Sequence, residues 1–307
     1  MNEASKQGER LSVFSALAAV YPQVYLMPGD EGAEEYRNIV RHGADARVHS
    51  LAHFQGSAAD ALSVELTPAG NVQVVTLGER RDFETLLQIM AYRCVPKQIP
   101  KTQGASILDG VINWTKIRAH RSEYLASGGK DWGAEFQRFT SDRRNYTDAL
   151  ILLSVGPYSA LPAEQAGLSE EEWLSASQII RRVHECTHFI CRRLYPQKIN
   201  AVWDELAADA AGLYAAFGRY ELPLAARLLG VDQNGYTGGR LENYAERQEL
   251  DSLARTVYAA LCRIEQISRE EEIADAYGFA LRLEQEDELI KTFKKSVTVR
   301  IKKTGPT

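Results

Sequence analysis

The chain has 307 residues, 45% of them hydrophobic and 25% charged, with a formal net charge of −5 and a pI near 5.8. That is enough chain for one large or two modest globular domains, and the composition excludes a disordered or collagen-like protein. There is no domain-wide basic excess, so nucleic acid is not an expected partner, and no apolar run of about 18 residues, so neither is a membrane.

Charges up to Arg10 precede an apolar stretch with helical spacing (Leu11, Phe14, Leu17, Val20) and no small-residue cleavage pattern. It reads as an amphipathic helix rather than a signal peptide. His49 and His53 are four apart, but no glutamate follows His49 and no carboxylate cluster flanks the pair. Together with His42 and His120 they read as structural. Residues 71–77, after "TPAG", have strand character. Residues 82–94 have helical periodicity, with Asp82 as N-cap. Residues 95–104 carry two prolines and a glycine. They mark a boundary between a mixed α/β region, 1–100, and a helical region, 101–307, with one continuous domain as the alternative.

Residues 105–127 read as one long helix on Ile107, Val111, Trp114 and Ile117, and a second helix follows near Ala134–Arg143. The apolar run Asp148–Ser159, stopped by Gly-Pro, reads as a strand, buried or at an edge. Helices dominate from there. One starts at Ser169, a good N-cap with acids in the first turn, and ends before Pro196 with arginines in its last turns. Its apolar stripe runs Ile179, Val183, Cys186, Ile190, Leu194. An alanine-rich helix covers 201–218. A glycine-rich loop at 232–239 leads into a long helix near Arg240, and 270–295 is charged and helical. Residues 296–303 suggest an edge strand, and the basic run Lys294, Lys295, Arg300, Lys302, Lys303 a solvated tail. The fold class is α+β, predominantly helical, with a small sheet. Cys94, Cys186, Cys191 and Cys262 form no CxxC pair and read as buried thiols in a reducing, cytoplasmic compartment.

Within the helix from Ser169 lies "VHECTHFI". His184 and His188 are one turn apart on one face, so both imidazoles can reach one ion. Glu185 is rotated by about 100° and is placed to act as a base toward a water held there. A catalytic zinc site takes three protein ligands. Downstream, "WDELAAD" offers Glu205 as the third and Asp209, one turn on, as the carboxylate that accepts the other N–H of a ligand histidine. Ala208 and Gly212 share that face and permit close helix packing. Cys191, seven residues after His184, is the alternative third ligand.

"HECTH", sixteen residues, then "ELAAD" resembles the gluzincin group of zinc metallopeptidases, over about residues 170–220. The resemblance implies a zincin-like helix pair, Zn2+ held by His184, His188 and Glu205, Glu185 as catalytic base and Asp209 as orienter. The substrate it implies is a peptide or protein. Asp204 stands where thermolysin-like enzymes usually have Asn, and the spacing is slightly short. A hydrolase also needs donors for the oxyanion of its tetrahedral intermediate. Tyr158, Tyr236, Arg240 and Tyr244 are the candidates, with Tyr158, Arg240 and Tyr244 favoured, and Asp148–Val155 is the candidate edge strand for an extended peptide, with a buried central strand as the alternative. A zinc amidase or deacylase acting on a non-peptide substrate, and a binding protein stapled by its metal, are the other readings.

Overall fold

Four strands, β1 (Ala61–Thr67), β2 (Gly70–Leu77), β3 (Ala105–Ile112) and β4 (Thr147–Ser154), form one sheet in the order β1-β2-β4-β3. The β1–β2 and β3–β4 pairs are antiparallel, and β2–β4 is parallel. The computed structural model describes residues 12–46, 50–198 and 200–296. His49 and the tail beyond 296 lie outside the described residues, as do the side chains of Lys294 and Lys295. So the expected tail strand, the basic run and the His49 half of the His49/His53 pair fall there.

The sheet separates two cores. Leu150 and Leu152 of β4 point to one side, with Val75 and Leu77 of β2. They meet Phe14 and Leu17 of helix α1 (Ser12–Val20), and Phe83, Leu86 and Leu87 of α3 (Arg80–Met90); a short α2 (Glu34–Tyr36) lies between those helices in sequence. Ile151 and Leu153 point to the other side, with Val72 and Val74, onto Cys186 and Phe189. Those two belong to α7 (Glu170–Leu194), the helix of the HECTH motif. Alternating faces with both sides buried are what a central strand requires.

The remaining helices are α4 (Trp114–Ala126), α5 (Trp132–Thr140), α6 (Ala163–Ala166), α8 (Ala201–Phe217), α9 (Leu222–Leu229), α10 (Leu250–Glu270), α11 (Ala276–Leu283) and α12 (Asp287–Ser296). From α6 onward they share a core built on Trp173, Trp203, Leu206, Leu261, Ile264 and Phe279. The α+β, predominantly helical class is as the sequence suggests. Among the described residues no helix is long and apolar enough to cross a membrane. The 95–104 segment is a connection, and the sheet takes β2 from before it and β4 from after it.

Several expectations are corrected. Residues 105–112 are strand β3, not the start of a helix. A bulge between Asp109 and Val111, with Gly110 at φ +77°, breaks the two-residue alternation and leaves Leu108 and Val111, three apart, on the same side of the sheet, a spacing that mimics a helix. Helix α4 starts only at Trp114, where Asn113 caps Thr115 and Lys116. Asp82 is not the cap of α3, which begins at Arg80. It is buried inside the first turn and accepts the backbone N–H groups of Gln55 and Gly56. No long helix begins at Arg240: residues 240–243 make one 3-10 turn, pinned by buried Leu241, and the helix starts at Leu250. Strand β4 is central, so it is not the open edge expected for a peptide; the edges are β1 and β3. Ile179 and Leu194 of the expected stripe are exposed, and Trp173, Ala176 and Ile180 are buried instead. Cys94, Cys186 and Cys191 are buried, but Cys262 is exposed on α10.

Helices α7 and α8 pack closely because small residues line α8. A Cβ at Gly212 would sit 2.9 Å from the Ile180 carbonyl oxygen and 3.0 Å from its Cγ2. Gly212→Val is expected to push the helices apart, destabilising the fold by about 1–3 kcal/mol and loosening any site they share. Thermal unfolding checks this, and a wild-type midpoint would show that the contact is slack.

A second buried acid lies on the α11 side. Glu284 accepts a hydrogen bond from Cys191 Sγ, 3.6 Å away, and burial together with the Asp204 charge pushes its carboxyl up to about 7. Between pH 4.5, its ordinary value, and about 7, the folded chain keeps a proton that the unfolded chain has released. Stability therefore falls as pH rises through that window, by up to about 3 kcal/mol from this group. Glu284→Gln should remove that part of the slope. Urea midpoints at either end of the window test it, and equal pH slopes for wild type and variant would cancel the assignment.

Candidate metal centre

Helix α7 is started by a full capping box between Ser169 and Glu172. It is tied to the end of β4 by Arg181, which is 4% exposed. Its guanidinium donates to the carbonyls of Ser154 (3.0 Å), Gly156 (2.7 Å) and Pro157 (2.6 Å). Gly104 leaves the room, since a Cβ there would lie 2.5 Å from Arg181 Nε. Ser177 Oγ accepts the backbone N–H of Tyr158 at 2.8 Å. After Tyr158 the chain turns through Ser159 and Ala160, both with φ in the left-handed region, a strained turn held by these contacts. The result is a tyrosine fixed against His184.

On α7 and α8, His184, His188 and Glu205 each offer a ligand atom, and these atoms lie within 4.8 Å of one another. His184 Nε2 is 3.1 Å from His188 Nε2 and 3.6 Å from Glu205 Oε2; His188 Nε2 is 3.3 Å from Glu205 Oε1. Ligands about 2.0–2.1 Å from a tetrahedral zinc ion sit roughly 3.3 Å apart, so the donor set fits such an ion. Two imidazole nitrogens turned toward each other and toward a carboxylate are also the donor chemistry that a cation satisfies. Burial works against ionisation of Glu205. The hydrogen bond and charge of His188, with the charge of His184, still hold its carboxyl below the usual carboxylate range.

Behind His184 the support is dense. Its Nδ1 donates to Asp209 Oδ1 at 2.9 Å, leaving Nε2 for the cluster. Tyr158 Oη donates to the same oxygen at 2.7 Å and lies 2.9 Å from His184 Nδ1. Arg240 forms an ion pair with the other Asp209 oxygen and places its guanidinium over the Tyr158 ring, 5.2 Å from the centroid. Burial and the Asp209 charge raise the Tyr158 phenol well above its ordinary value, so it stays a donor. Burial of Asp209 is outweighed by the charge of Arg240 and the hydrogen bond from His184, so it stays ionised. Burial also disfavours a charged His184, but the Asp209 hydrogen bond and the Glu205 charge outweigh it and raise its pKa.

The structure thus brings His184, His188, Glu205 and Asp209 together as the spacing suggests. Glu185 sits beside the ligands, 9% exposed. Tyr158 and Arg240 are at the site but behind His184, engaged with Asp209. Tyr244 is half-buried near Glu205, and burial and the Glu205 charge keep its phenol protonated. Cys191 points away, to Glu284, and burial pushes its thiol up. Arg181 and Ser177 escape sequence reasoning. The available signal is only that an arginine precedes His184 by one turn and Ser177 precedes that arginine by another, on the same helix. Asp209→Asn and Tyr158→Phe are expected to weaken metal affinity by about 10–100-fold without unfolding the chain. Competition with a chelating dye measures this, and unchanged affinity in both would strip Asp209 of its orienting role.

Fold and cluster together define a class: a predominantly helical α+β chain with a His–His–Glu group able to hold a metal ion. The chain belongs to the family of unknown function DUF7005, whose family model matches residues 2–296. No curated protein and no solved structure matches it.

Proposed function

We propose that the chain is a zinc-dependent amide hydrolase, a metallopeptidase of the gluzincin type. The observation that carries this is the convergence of His184, His188 and Glu205 from two helices, with Glu185 next in sequence to the first ligand. Zn2+ held there supplies Lewis acidity to the scissile carbonyl and to the attacking water. The Glu185 carboxylate takes the proton from that water and returns it to the leaving amine nitrogen. Asp209, braced by Tyr158 and Arg240, holds His184 in the tautomer that presents Nε2. Tyr244 is the hydroxyl donor at the cluster itself and serves the developing oxyanion. Pairing with an extended peptide falls to edge strand β3, which follows Gly104 beside Arg181. Four free thiols support a reducing, cytoplasmic setting.

A second reading, an amidase or deacylase acting on a small non-peptide substrate, is favoured by burial: His184, Glu185 and His188 are each less than a tenth exposed. One experiment tests both. Metal content is measured on purified protein, which is then offered a peptide library and a panel of N-acyl amides. About one zinc per chain with cleavage of peptides supports the first reading, and cleavage of the small amides alone supports the second. Protein that takes up no zinc on reconstitution overturns both.

A further inference from the structure

Helices α4 and α5 form a hairpin beside the turn at Arg41–Gly43, and between them lies a cavity of about 430 Å³. This is within the roughly 300–1,000 Å³ that small-molecule sites occupy. Aromatic rings line it. The Trp114 indole donates its N–H to the Val40 carbonyl at 3.0 Å and lies flat on Gly43, where a Cβ would be 2.3 Å from the ring. Trp132 and Phe136, one turn apart on α5, supply two more rings, with centroids 5.7 Å apart. Arginines form the rim. Arg118 and Arg121 follow Trp114 at helical spacing on α4, Arg41 faces them from the turn, and Arg121 already lies over the Trp132 ring at 5.8 Å. Among the described residues none that lines it is acidic, so three guanidiniums meet in a chain whose net charge is −5. Helix α4 buries only Ile117, and Arg118 and Arg121 are exposed, so these arginines are not needed to fill a core.

We propose that this cavity binds a free nucleotide: a planar base stacks on the indoles, and its phosphate takes hydrogen bonds from Arg118, Arg121 and Arg41. Flat aromatic faces accept any base, and guanidinium forks match phosphate oxygens in pairs. The site is separate from the metal cluster and does not depend on the reading of that cluster.

Tryptophan fluorescence of the full chain, titrated with adenosine 5′-monophosphate, tests this. Saturable quenching is expected, with adenosine or inorganic phosphate alone at least about tenfold weaker. The double variant R118E/R121E should bind at least about tenfold more weakly, and W132L should reduce both affinity and quenching. Both arginines are exposed, so an unchanged unfolding midpoint separates lost binding from lost fold. No saturable quenching, wild-type affinity in the charge-reversed variant, or binding of a short single-stranded oligonucleotide without the mononucleotide would each overturn the proposal.

Discussion

Glu185→Gln is expected to keep zinc at wild-type stoichiometry while lowering turnover by about 10²–10⁴-fold, the range a positioned general base contributes. The amide has nearly the same shape as the carboxylate, so the helix and its packing are undisturbed. It cannot take a proton at neutral pH. Metal should be retained because the three converging ligand atoms belong to His184, His188 and Glu205, and Glu185 is not among them. Turnover within a factor of ten of wild type would remove Glu185 from the reaction. Loss of metal would make it a ligand instead.

His188→Ala is expected to abolish stable metal binding. It removes one of three donors and leaves Glu205 with His184 alone, 3.6 Å away. Because a ligand that binds only the folded chain stabilises it, added zinc should raise the unfolding midpoint of the wild type and leave the variant's unmoved. Zinc at wild-type stoichiometry in the variant would sink the ligand assignment. The far-ultraviolet circular dichroism of the variant separates lost binding from lost helix.

Much of the site was legible because helices convert sequence spacing into geometry. A spacing of four between the histidines fixes a shared face, Ser169 with Glu172 fixes where α7 starts, and Glu205 with Asp209 repeats the same arithmetic on α8. Strand β3 was not legible, because its bulge at Gly110 disguises a two-residue period as a helical one. The side of His184 on which Tyr158 and Arg240 would sit was also hidden. It is set by long-range contacts, such as Arg181 gripping the end of β4, that no local pattern encodes. Central β4 read equally as edge or interior because apolar content reports burial and not neighbours.

The ion pair between Asp209 and Arg240 has a consequence for the charge the cluster carries. With neutral imidazoles, the carboxylates of Glu185, Glu205 and Asp209 contribute three negative charges and Arg240 one positive, so the bare cluster is at −2. A divalent cation would bring it to zero; without the arginine, the same cation would leave it at −1. A single residue from the loop after the glycines thus decides whether an approaching carbonyl oxygen meets a neutral site or a negative one.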